Sequence, residues 1–179
     1  MIKKNSSGFT LMEIMVSLSI MALLSGIVIS GLDVAKKRSR MAQRISDLKQ
    51  IQNSLELYYS NNKIYPISSG SALSSECNAW GGLSGVNVIP GLFPAYSNTM
   101  PKDPQMDKTT NTNCYVYRSD GQDYAFIDVN VTELSSGSPN FNSYPELVDP
   151  ARDGGSNPNI VDGTNITAWK VSSRGGRSW

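Results

Sequence analysis

The chain has 179 residues, with 16 Lys or Arg and 15 Asp or Glu, and a formal net charge of +1. It contains no histidine, which excludes histidine-based acid–base catalysis and histidine metal sites. The balanced charge does not point to nucleic acid as a partner, and no phosphate-binding glycine motif indicates an enzyme. About 145 residues follow the N-terminal apolar run, enough for one modest domain.

An apolar segment dominates the N-terminal region. It follows a short polar leader, which contains Lys3 and Lys4 and ends at Gly8, and residues 9–32 are apolar or small apart from Glu13. A helix of this length rises about 36 Å, enough to cross the hydrocarbon core of a bilayer with some tilt. A lone carboxylate in such a span costs about 2.5–3.5 kcal/mol to insert. The segment therefore predicts a transmembrane span at 9–32 and marks Glu13 as a functional candidate.

The N-terminal residues GFTLMEIMVSLSIM, from Gly8 to Met21, resemble the signature of type IV prepilins, a family of type IV pilins and pseudopilins of type II secretion. The resemblance implies that a prepilin peptidase cuts after Gly8 and that the new terminal residue, Phe9, is methylated. It also implies that Glu13 pairs with the Phe9 amine of a neighbouring subunit during assembly. The alternatives are a secretory signal peptide and a plain membrane anchor; the apolar run is longer than a signal peptide needs.

The N-terminal helix is predicted to continue past the membrane segment as an amphipathic helix. Apolar residues recur there at spacings of three and four. They are Met41, Ile45, Leu48, Ile51, Leu55 and Tyr58. The pair Asn61-Asn62 provides a stop signal. The predicted organisation is a leader at 1–8, a helix at 9–62 and a globular head at 63–179.

The head shows the pattern of a small antiparallel sheet. Residues 114–118 and 124–131 carry the aromatic and alternating pattern of strands, joined by a hairpin at 119–122, and a third strand is predicted at 166–172. The segment 100–105, MPKDPQ, resembles an element found between helix and sheet in the pilin family. We therefore predict an α+β fold, in which the sheet packs on the amphipathic half of the helix.

Two cysteines, Cys77 and Cys114, lie in the head. The pilin resemblance implies that the head is outside the cytoplasm, where a disulfide can form. A bridge would close a loop of about 37 residues and contribute roughly 4 kcal/mol in the chain-entropy account. The alternative is two buried free thiols.

A basic stretch follows the apolar run; it consists of Lys36, Lys37, Arg38, Arg40 and Arg44. Counting positive charges would keep this flank in the cytoplasm, whereas the prepilin signature requires the leader to be there. Three roles are open: a solvated ring facing lipid headgroups, pairing with acids of a neighbouring subunit, or contact with DNA.

A glycine-rich loop near the C-terminus offers oxygen ligands for a hard cation. Its acids Asp149, Asp153 and Asp162 are the candidate ligands. The residues Asp153-Gly154-Gly155 and Asp162 to Trp169 resemble the C-terminal calcium loop of major pseudopilins. The resemblance implies a calcium site; beyond this one candidate, we expect no cofactor. The alternative is a solvent-exposed polar loop with turn-forming residues.

The pilin resemblance implies a structural subunit that polymerises with itself into a type IV pilus or pilus-like filament. Before assembly it would be a single-pass precursor in the bacterial inner membrane, with its head outside the cytoplasm. Its partners would be the prepilin peptidase and the inner-membrane assembly machinery. One alternative is the major pseudopilin of a type II secretion system. Another is a low-copy adhesive or ligand-binding tip protein on the same anchor.

Overall fold

The computed structural model of this chain describes residues 8–68, 73–134, 144–153, 160–161 and 166–179, without the side chains of 27–31. The chain forms two compact units, Met1–Ser39 and Arg40–Trp179. Three residues that carry predictions, Lys3, Lys4 and Asp162, lie outside the described residues.

The long helix α1 covers Leu11–Asn62 and ends at the predicted asparagine. In the first unit, its serines Ser17, Ser19 and Ser25 each donate a hydrogen bond to the carbonyl four residues earlier, at 2.7–2.8 Å. These bonds satisfy the hydroxyl protons inside an apolar helix. Among the residues that the structure describes, no helix combines the length and apolar character needed to cross a membrane. The transmembrane span stays a prediction.

In the second unit, α1 forms one side of the main core, and the predicted apolar stripe is confirmed. Its members Met41, Ile45, Leu48, Ile51 and Leu55 are buried, and Tyr58 packs half-buried against them. Burying an aliphatic side chain of this size stabilises the fold by about 1.5–3 kcal/mol. The opposite side of this core comes from one face of the sheet, so the α+β arrangement is as predicted.

The sheet has four antiparallel strands in the order β1-β2-β3-β4. The strands are β1 Ser74–Ser75, β2 Cys114–Ser119, β3 Tyr124–Val129 and β4 Trp169–Ser172. The helix α2 covers Gly85–Val88, and single 3-10 turns occupy Asn78–Trp80, Pro145–Leu147 and Gly175–Ser178.

The strand β2 shows how alternation separates the two faces of the sheet. Tyr115 and Tyr117 face the main core with α1, whereas Cys114 and Val116 belong to a second, smaller core on the other face. In the hairpin that joins β2 to β3, Gly121 has a φ of +93°, a conformation that favours glycine. The predicted hairpin is therefore confirmed together with its turn residue.

The smaller core contains a disulfide between Cys77 and Cys114, as predicted. Both cysteines are fully buried. The bridge ties the start of β2 to the segment that follows β1, which is only two residues long. It therefore holds in place a part of the sheet that has few hydrogen bonds of its own.

Candidate functional site

The start of α1 is closed by a reciprocal pair of hydrogen bonds between Thr10 and Glu13. The backbone N–H and the hydroxyl of Thr10 each donate to Glu13 Oε2, at 3.0 Å and 3.0 Å. The backbone N–H of Glu13 in turn donates to the Thr10 hydroxyl at 3.2 Å. This geometry is a capping box, which satisfies N–H groups that the first helical turn leaves without partners.

Glu13 thus has a partner within its own chain. The Thr-x-x-Glu spacing is a recognisable capping signal, whereas the partner predicted from the sequence is the Phe9 amine of a neighbouring subunit. The capping box keeps the carboxylate hydrogen-bonded at the helix start. Its predicted pairing with a Phe9 amine stays a prediction.

The predicted cleavage junction lies just before the helix. Gly8 is exposed, and a Cβ added at this position would meet no atom within 4 Å. The fold therefore places no steric demand for glycine here. A processing defect in a Gly8 variant would accordingly report recognition of the junction by the peptidase and not misfolding.

The second unit contains a buried group of charges around Arg44, whose side chain is fully buried. The guanidinium donates to both oxygens of Asp103, to Glu133 Oε2 at 2.8 Å and to Gln105 Oε1 at 3.2 Å. Arg40 also binds Glu133. The carboxylate of Asp128 lies 3.5 Å from Arg44 Nε. We call these charged residues the Arg44 cluster; they are Arg40, Arg44, Asp103, Asp128 and Glu133.

The Arg44 cluster connects α1 to three distant parts of the head. Asp103 comes from the segment 100–105, Asp128 from β3, and Glu133 from the segment after β3. This corrects the interpretation of the basic stretch, because Arg44 is neither solvated nor available to a neighbour or to DNA. Lys36, Lys37 and Arg38 are exposed, as a solvated stretch requires.

Burial and neighbouring charges shift the pKa values of this cluster. Burial raises the pKa of Glu133, but the hydrogen bonds from Arg40 and Arg44 outweigh this effect. The pKa of Glu133 is therefore below its usual range. Burial raises the pKa of Asp128 well above its usual range; the negative charge of Asp103 adds to this, and Arg44 only partly offsets it. Within the described part of the chain, neither oxygen of Asp128 accepts a hydrogen bond. When Asp128 is protonated, the cluster contains two arginines and two other carboxylates, so its positive and negative charges are equal in number.

We expect the free energy of unfolding of Asp128→Asn, measured relative to that of the wild type, to increase as the pH rises. A carboxyl whose pKa is raised by folding contributes stability below its unfolded pKa, near 3.9, and that stability is lost as the pH rises through the folded pKa. The variant should gain up to about 1.4 kcal/mol per pH unit within this window. Urea unfolding at several pH values measures the difference, and a gap that stays constant from pH 4 to pH 8 would contradict the argument.

The predicted calcium ligands do not come together as a set of three. Asp149 is fully buried, and its oxygens lie 2.6 Å from Lys170 Nζ and 2.5 Å from Arg152 Nη1. Two cations already neutralise this carboxylate, so it does not fit the role of a calcium ligand in this arrangement. Asp153 is buried as well, and Asp162 lies outside the described residues. Among the described residues, no cluster of three acidic or cysteine side chains could hold a metal, and the calcium site stays a prediction.

The N-terminal region matches a known family. Residues 3–29 match the family model of the prokaryotic N-terminal methylation motif. In this region the chain is similar to type IV pilin-like proteins. The chain is 35% identical over 64 residues to type II secretion system core protein G of Aeromonas hydrophila. It is 36% identical over 59 residues to the protein of the same name from Escherichia coli K12, and 30% identical over 99 residues to that of Pectobacterium carotovorum.

These similarities cover part of each protein. The alignment with the Aeromonas protein covers 36% of this chain and 45% of the relative. The corresponding shares are 33% and 41% for the Escherichia protein, and 54% and 60% for the Pectobacterium protein. The chain thus spans about half the length of the curated relatives that it matches. No solved structure matches it.

Proposed function

We propose that this chain is a structural subunit of a pilus-like filament, cut after Gly8 and assembled through its N-terminal helix. The observation that carries the proposal is the apolar surface of the first unit. Phe9 is 84% exposed and Leu11 is 78% exposed, and the large apolar side chains that the structure describes after them in this unit are about half exposed or more. An apolar surface of this extent favours an interaction partner. Lipid would cover it before assembly, and the helices of neighbouring subunits would cover it afterwards.

The same proposal places the precursor in the bacterial inner membrane with its head outside the cytoplasm. The disulfide between Cys77 and Cys114 supports this side of the membrane, because structural disulfides persist in oxidising compartments. The prepilin peptidase and the inner-membrane assembly machinery would be the partners before assembly. Other copies of the chain would be the partners in the filament.

Within this function, we favour the major pseudopilin of a type II secretion system. The support comes from the names of the relatives, each of which is a type II secretion system core protein G. A pilus subunit and a low-copy tip protein are the other outcomes. The amount of protein in sheared filaments separates a filament body from a tip, because a body subunit is the main component and a tip protein is present in traces.

We expect the mature protein to begin at Phe9 with a methylated amine, and Gly8→Ala to accumulate as the full-length precursor. The fold tolerates a Cβ at Gly8, so the block would come from the peptidase. Intact mass and N-terminal sequencing of membrane and sheared-filament fractions measure both results. Ser7→Ala, one position earlier in the leader, serves as the control and should be processed. A mature N-terminus at any other residue would refute the proposed processing.

A further inference from the structure

The second unit contains a cavity of about 410 Å³ that the filament function does not use. Its walls come from the head half of α1, from the 3-10 turn Pro145–Leu147 and from the end of β4 with the residues that follow it. The volume is within the range of about 300–1,000 Å³ that is usual for small-molecule sites. Buried apolar side chains, Leu147, Val148 and Val171, form part of its lining.

The charged side chains that line this cavity are mostly positive. They are Lys49, Lys170, Arg174 and Arg177, against the single acid Glu146. A cavity with an excess of one charge sign concentrates ions of the opposite sign. The lining therefore favours an anion.

One of these cations is already neutralised within the fold. Lys170 Nζ lies 2.6 Å from Asp149 and donates to the carbonyls of Arg177 and Trp179, at 2.7 Å and 3.3 Å, so its three protons have acceptors. Burial lowers the pKa of Lys170; the bond to Asp149 opposes this, and the positive charges of Arg152 and Arg177 lower it again.

The other three cations are unused by the described fold. Lys49, Arg174 and Arg177 are exposed, and in the described ranges their side chains form no ion pair or hydrogen bond. Lys49 lies on α1, whereas the two arginines follow β4. Two different elements of the wall therefore each contribute positive charge to the cavity. Arginine binds phosphate oxygens with two parallel N–H donors, and lysine binds them as a point charge.

We propose that this cavity binds a multiply charged oxyanion, a phosphate group held by Lys49, Arg174 and Arg177. The phosphate could belong to a free anion or to the headgroup of a lipid, and both present the same oxygens. The described lining contains no residue of the first unit, so the site can be tested whether or not the chain forms filaments.

The test is isothermal titration calorimetry on the mature full-length chain in a non-ionic detergent, at constant ionic strength. Inorganic phosphate and glycerol phosphate are the two probes, with chloride as the ionic-strength control. Arg174→Gln and Arg177→Gln should each weaken phosphate binding by about tenfold, because each removes charge-assisted hydrogen bonds. Glu146→Gln should strengthen binding, because it removes the one acid of the lining. Arg38→Gln, an exposed arginine outside the cavity, should leave binding unchanged.

Opposite effects of the Glu146 and Arg174 variants would support the site. Tighter binding of glycerol phosphate than of inorganic phosphate would assign it to a headgroup, and equal or weaker binding would assign it to a free anion. Absence of phosphate binding by the wild type would overturn the proposal. So would an effect of Arg38→Gln equal to that of the cavity arginines, because binding would then be general surface attraction.

Discussion

We expect Arg44→Met to lower the free energy of unfolding of the head by about 3–5 kcal/mol, the usual cost of removing one partner from a buried ion pair. The substitution would leave Asp103, Asp128 and Glu133 with one remaining arginine, Arg40. Methionine fills a similar apolar volume, and Arg44 already contacts the sulfur of Met41 at 3.6 Å. The loss would therefore come from uncompensated charge more than from a cavity.

Two further variants separate charge from volume. Arg38→Met changes an exposed arginine on the same helix, and we expect it to alter stability by no more than about 0.5 kcal/mol. Adding Asp103→Leu to Arg44→Met should recover part of the loss, because the pair is then replaced by apolar groups on both sides. Urea unfolding of the full chain in detergent measures all three. A loss for Arg44→Met no larger than for Arg38→Met would contradict a structural role of the cluster.

The long helix and the hairpin were predictable because their signals are local. The spacing of Met41, Ile45 and Leu48 identifies the buried face of α1 without any knowledge of the rest of the chain. Arg44 lies on that same face, but periodicity counts apolar residues and treats a charge as exposed. Its partners Asp103 and Glu133 are 59 and 89 residues away in sequence. No local pattern pairs them, and only the packing of the head brings them together.

Other features were missed for different physical reasons. The strand β1 consists of Ser74 and Ser75, which have no strand signal, and it exists because the edge of β2 supplies hydrogen-bond partners. Asp149 was assigned to calcium on its loop alone, whereas Lys170, 21 positions later, neutralises it. The capping box of Thr10 and Glu13 was readable from the sequence, because its two residues are only three positions apart.

The two possible roles of Glu13 can be separated by two substitutions. Glu13→Val removes both the capping box and the charge, whereas Glu13→Gln removes the charge and keeps a side chain that can close a capping box. If the carboxylate pairs with the Phe9 amine of a neighbour, removal of the charge leaves that amine buried without a partner. We therefore expect both variants to reach the membrane and both to reduce the filament yield by at least about tenfold.

Thr10→Val completes this comparison from the opposite side. It removes the hydroxyl of the capping box but keeps the charge of Glu13, and losing a cap of this kind costs about 1 kcal/mol. We expect this variant to assemble with a much smaller loss of yield than Glu13→Gln. Quantification of the subunit in sheared-filament and membrane fractions provides the measurement, with the membrane fraction as the control for insertion. Normal assembly of Glu13→Gln beside failure of Glu13→Val would show that Glu13 acts through the helix cap, and the pairing with Phe9 would be wrong.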